Sequence, residues 1–101
     1  MSVVIVARFS VPDVAGAIEA LATHAPLLEE ITEDAKGLGC LHHRFLAGDG
    51  DLIVLDEWGT ADQFENFFEG NTKVAEVTAA AGVKGPPSVS VLSTVEAPGT
   101  F

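Results

Sequence analysis

Between Asp51 and Phe68 the hydrophobic period of the chain changes, and this change constrains the fold more than any other stretch does. Leu52 to Leu55 is an unbroken apolar run that leads into Trp58, the only tryptophan, and reads as a buried strand. Phe64, Phe67 and Phe68 then recur at helical spacing, so a strand hands over directly to a helix with an aromatic inner stripe. Thr60 or Asp62 can cap that helix.

The flanking segments supply what would cover this unit. Ser2 to Ser10 reads as a central strand, with Val3, Ile5, Ala7 and Phe9 on one face and Val4, Val6, Arg8 and Ser10 on the other. Pro12 suits a helix start, with Asp13 in the first turn. Val14, Ile18, Leu21, Ala25, Leu28 and Ile31 form one amphipathic stripe reaching about Ala35. Pro26 should kink or break it between Thr23 and Pro26, and Gly37 and Gly39 supply the stop. Cys40 to Leu46 is a second strand, joined to Leu52–Trp58 through Gly48-Asp49-Gly50 as a β-hairpin. Gly70-Asn71 separates the aromatic helix from a second helical piece over Thr72 to Ala81, and Pro86-Pro87 stiffens the entry to a last strand, Ser88 to Glu96.

The order β-α-β-β-α-β, closed with right-handed crossovers, gives a four-stranded antiparallel sheet in the order 4-1-3-2 with helices on one face. This is the α+β, ferredoxin-like arrangement. Residues 1–96 form the expected single domain and residues 97–101 a tail. The sheet's other face is also apolar, so a second copy is the expected cover and a homodimer the expected assembly.

Charge excludes several partners. Fifteen acidic residues against five Lys and Arg give a net charge of −10, which repels phosphate backbones and anionic membranes, so neither nucleic acid nor membrane is an expected partner. Cys40 is the only cysteine, which rules out an internal disulfide and a zinc site of several cysteines and suits a reducing compartment. The apolar run at the N-terminus is too short for a signal core or a membrane span, and a cytoplasmic location is expected.

At Gly39-Cys40-Leu41, the Gly48-Asp49-Gly50 turn and the strand Ile53-Val54-Leu55-Asp56-Glu57-Trp58, followed by Thr60-Ala61-Asp62-Gln63-Phe64, the chain resembles the antibiotic biosynthesis monooxygenase family of dimeric α+β barrels. The resemblance covers nearly the whole chain. It implies a cofactor-independent oxidation of an aromatic or quinone-like small molecule in an apolar pocket, with no metal. Family members often carry a histidine at the place of Phe67. The haem-degrading branch would use an asparagine, a tryptophan and a histidine at the places of Ala7, Phe67 and Glu76, so haem degradation is not expected.

His42 and His43 are the first candidates for a base, and as strand neighbours they point to opposite faces, so only one can line a pocket. If the hairpin loop spans Gly48 to Asp51, Ala47 lies opposite Leu52 and His43 opposite Asp56, which puts Leu41, His43 and Phe45 on the Trp58 face. A slip of one residue would substitute His42. His43 is preferred as the catalytic residue because its face is more apolar; the alternative is a structural histidine, paired with Asp56 or exposed at the sheet edge. Trp58 either stacks on an aromatic ligand or fills the core. Phe64 and Phe67 would wall the pocket. Asn71 either holds a substrate carbonyl or caps the last helix. Arg44 and Arg8 either grip an anionic ligand or pair with a carboxylate. The competing function is a non-catalytic ligand-binding or stress-associated barrel whose pocket the phenylalanines fill.

Overall fold

The computed structural model describes residues 2–101. The elements are β1 (Val3–Ser10), α1 (Val14–Thr23), α2 (Ala25–Leu38), β2 (Cys40–Ala47), β3 (Asp51–Trp58), α3 (Ala61–Phe68), α4 (Thr72–Ala80) and β4 (Ser88–Ser93). The strands make one four-stranded sheet in the order β2-β3-β1-β4, with every neighbouring pair antiparallel. The topology is the ferredoxin-like α+β arrangement that the order of elements implies.

Local chemistry sets the element ends. The first amphipathic stripe is divided at His24, whose backbone N–H donates to the Ala20 and Leu21 carbonyls and ends α1. Pro26 then lies in the first turn of α2, where a missing N–H costs no helical bond. Asp13 lies just outside α1 rather than in its first turn, and its carboxylate caps the helix by accepting from the Gly16 N–H at 3.0 Å. Gly39, at φ 115°, closes α2 in the left-handed conformation, so only the second of the two expected glycines acts as the stop. Thr60 and Gln63 form a reciprocal capping box at the start of α3. β4 ends at Ser93, short of the expected Glu96.

The break between α1 and α2 lets each helix serve a different part of the core. Ala17 of α1 packs with Ala7, Phe9, Val11, Leu52 and Ala81, whereas Ala35 of α2 packs with Ile5, Trp58, Phe64 and Phe67. Lys73 ties α4 to α2 through Asp34 at 2.7 Å and Glu30 at 3.5 Å. Both clusters sit on the Ile5–Ala7–Phe9 face of the sheet. On the opposite face Val4, Val6, Ile53 and Leu55 are half-buried, and Leu46 and Leu92 stand 41% and 49% exposed.

Candidate functional site

The hairpin turn closes through the Gly48 N–H donating to the Asp51 carbonyl at 2.9 Å. This sets Ala47 opposite Leu52, Phe45 opposite Val54 and His43 opposite Asp56, so the register places His43 on the helix-covered face, while His42, next to a bulge, also borders the cavity described below. Further along, the ladder departs from simple alternation. A bulge between Cys40 and His42 places Cys40, rather than the expected Leu41, opposite Trp58. Leu41 is left 55% exposed.

Between sheet and helices lies a cavity of about 370 Å³. Its floor consists of successive cross-strand rows: His43–Asp56, then Phe45–Val54–Ala7, then Leu52–Phe9. Its roof and walls come from Leu28, Ile31 and Ala35 of α2, Phe64, Phe67 and Phe68 of α3, and Val77 of α4. Two threonine hydroxyls in the lining already serve their own helices, Thr32 donating to the Leu28 carbonyl at 2.9 Å and Thr78 to the Ala75 carbonyl at 3.0 Å. Polar chemistry is therefore concentrated at the end of the cavity bordered by His43, Asp56, His42, Cys40 and Lys36.

At that end Asp56 is only 6% exposed and joins two donors. Its Oδ1 lies 2.6 Å from His43 Nδ1, and its Oδ2 accepts from Trp58 Nε1 at 3.1 Å. A carboxylate only accepts, so His43 carries a proton on Nδ1, and in the neutral form of the ring Nε2 is the accepting nitrogen. The His43 side chain is 34% exposed, and Phe45 packs against its ring at 82° with centroids 4.7 Å apart. The result is an oriented imidazole bordering a mostly apolar chamber. Cys40 is not a nucleophile here: burial, with the negative charge of Asp56 second, pushes its thiol up to about 11, so it stays protonated at neutral pH.

The remaining sequence candidates separate. Trp58 is 0% exposed and lies outside the cavity wall. Phe64 and Phe67 pack against its ring at 5.8 and 5.2 Å, so the expectation that it stacks on a ligand is corrected: its indole belongs to the core and reaches the site only through Asp56. Phe64 and Phe67 do line the cavity. Asn71 caps α4, accepting from the Val74 N–H at 3.1 Å and donating to the Phe67 carbonyl at 3.0 Å, and borders a separate hollow beside Gly70 and Pro87. It does not line the cavity between sheet and helices, so it holds no substrate there. Arg44 falls on the opposite sheet face, paired with Leu55, and so cannot grip a ligand in this cavity. Arg8 pairs with Asp51 at 3.4 Å. Of the haem-branch positions, Ala7 and Phe67 line the cavity, while Glu76 is exposed.

Asp56 is the residue whose part the sequence reading left as a mere partner. Its signal was present: Leu52, Val54, Asp56 and Trp58 alternate onto one apolar face, and a carboxylate there must be satisfied by buried donors.

Sheet order and one-sided helices define a ferredoxin-like α+β protein. No family model matches the chain, and no curated protein matches it. Among solved structures, it is similar to a monooxygenase from the gene ActVA-Orf6 of Streptomyces coelicolor in complex with nanaomycin D, at 17% identity and TM-score 0.69 over 95% of this chain and 89% of that one. It is also similar to SnoaB, a cofactor-independent oxygenase from Streptomyces nogalater, at 16% identity and TM-score 0.63 over 98% of both chains. A dimeric ferredoxin-like protein from an uncultured marine organism matches at 9% identity and TM-score 0.69, over 95% of this chain and 90% of that one. A further match bears the name antibiotic biosynthesis monooxygenase. The likeness is one of fold, and it is the fold that the sequence resemblance implied.

Proposed function

We propose that this chain is a cofactor-independent monooxygenase acting on an aromatic or quinone-like small molecule. The observation that carries the proposal is the His43–Asp56 pair at 2.6 Å, set at the polar end of an otherwise apolar cavity of about 370 Å³. That volume lies within the range of small-molecule sites, near its lower end. The fold shared with ActVA-Orf6 and SnoaB supports the same reading.

His43 Nε2 accepts the proton of a phenolic hydroxyl and Asp56 holds the resulting imidazolium. The substrate anion supplies electrons to dioxygen. One oxygen atom forms a bond to ring carbon, the O–O bond breaks, and the second oxygen leaves as water with the two hydrogens lost from carbon and hydroxyl, giving a quinone. A naphthol plus dioxygen thereby yields a naphthoquinone plus water. The chamber's apolar walls orient the ring.

Oxygen uptake with hydroxylated polycyclic aromatics tests the reading. The expected result is turnover that falls by about 10²–10⁴-fold in His43→Ala. Ring binding without oxygen uptake would instead establish the ligand-binding alternative, and an active His43→Ala would remove His43 from the role of base.

The homodimer belongs to the same proposal. Val4, Val6, Ile53, Leu55, Leu46 and Leu92 leave an apolar sheet face without helices over it, and one of the similar structures is a dimeric ferredoxin-like protein. Sedimentation should show a dimer for the parent protein and a folded monomer for Leu55→Lys; a monomeric parent protein would contradict this assembly. No helix among the described residues is long and apolar enough to cross a membrane.

A further inference from the structure

We propose that Ala7, through its pairing with Val54, sets how large a ring system the cavity accepts. The inference rests on the aromatic-ligand reading above and deepens it to a specificity rule.

The floor rows dictate where a ligand lies. Rows two residues apart along a strand are separated by about 6.6 Å. The first row holds the hydrogen-bonding pair His43–Asp56, and the third holds Leu52 and Phe9, which also border the cavity. A hydroxyl bonded to His43 therefore leaves the attached rings across the middle row, Phe45–Val54–Ala7. Along β1 the inward side chains run Ile5, Ala7, Phe9, so the smallest one stands between two large ones where the rings must pass. Ala7 pairs directly with Val54, and both border the cavity.

In a close-packed wall even one methylene is felt. Valine at position 7 would add its branches to the middle of the floor, and alanine at position 54 would remove the same branches from the neighbouring strand. The two substitutions conserve total volume and move the hollow sideways by one strand. His43 and Asp56 lie in the next row and are untouched by either change. A small phenol anchored at His43 fits without spanning the middle row, whereas a fused tricycle must cross it.

The test compares phenol, naphthol and hydroxyanthraquinone binding to the parent protein, Ala7→Val, Val54→Ala and the double variant, with thermal melting to verify folding. Ala7→Val should weaken hydroxyanthraquinone on the order of tenfold or more and phenol by much less. Val54→Ala alone should bind hydroxyanthraquinone at least as tightly as the parent, and adding it to Ala7→Val should restore most of the lost affinity. Equal binding of hydroxyanthraquinone by Ala7→Val and the parent overturns the inference, as does a uniform loss for all three phenols that Val54→Ala fails to restore. If the parent protein binds none of the three, the aromatic-ligand reading itself fails and takes this inference with it. An Ala7→Val that does not fold shifts the comparison to Val54→Ala, where hydroxyanthraquinone binding weaker than the parent's overturns the size rule.

Discussion

Trp58→Ala is expected to lower the unfolding free energy by about 3–5 kcal/mol, the usual cost of emptying a fully buried aromatic site. For a domain near this size that corresponds to a fall of roughly 12 °C or more in melting temperature. Trp58 is 0% exposed and joins β3 to α3 through its contacts with Phe64 and Phe67. Truncation opens a hollow there and also removes the Nε1–H that satisfies Asp56 Oδ2. Trp58→Phe separates these effects. It keeps an aromatic ring in the site but orphans one carboxylate oxygen, and should cost about 1–3 kcal/mol. Urea or thermal unfolding of both variants checks the order; a Trp58→Ala protein within about 1 kcal/mol of the parent would show that this residue does not anchor the core.

Asp56→Asn is expected to reduce turnover by about 10²–10⁴-fold, comparable with loss of the base itself. An amide has one accepting oxygen where the carboxylate has two, and Asp56 uses both, for His43 and for Trp58. If the oxygen stays with the indole, the amide nitrogen faces His43 and donates to Nδ1. The imidazole proton then moves to Nε2, the atom that must be free to accept from substrate. Asp56 is thus a positioning residue, and nitrogen NMR of the imidazole should report the exchanged tautomer, which simple loosening of the structure would not produce.

A second readout of the same variant follows from Cys40. Its thiol is raised from 9.0 to about 11, first by burial and then by the charge of Asp56. Neutralising that charge removes one raising cause and leaves the other, so thiolate should form at lower pH in Asp56→Asn than in the parent. The pH dependence of alkylation measures this. Full turnover together with an unmoved Cys40 titration would refute the placement of a charged Asp56 beside both groups.

The legible parts of this molecule were those fixed over short stretches of chain. The Gly48-Asp49-Gly50 turn determined the hairpin register, and register determined that His43 lies on the covered face. Pro26 announced the division between α1 and α2, and Gly70-Asn71 the start of α4. Apolar alternation on β1 and β3 identified the central strands and, with the element order, the sheet topology. Less legible was the bulge that puts Cys40 opposite Trp58, because the alternation of Cys40, Leu41 and His42 is compatible with either face.

By itself the sequence determined the order of elements, their apolar faces and the strand partners, since these follow from periodicity, turn chemistry and handedness. Only the tertiary structure decided that Trp58 is sealed by Phe64 and Phe67, that Asn71 spends its amide on capping α4, and that a hollow remains above Ala7. The physical reason is that periodicity states which side chains point inward, whereas a cavity is the difference between the space enclosed by packed elements and the volume those side chains fill. That difference exists only once the helices have settled on the sheet.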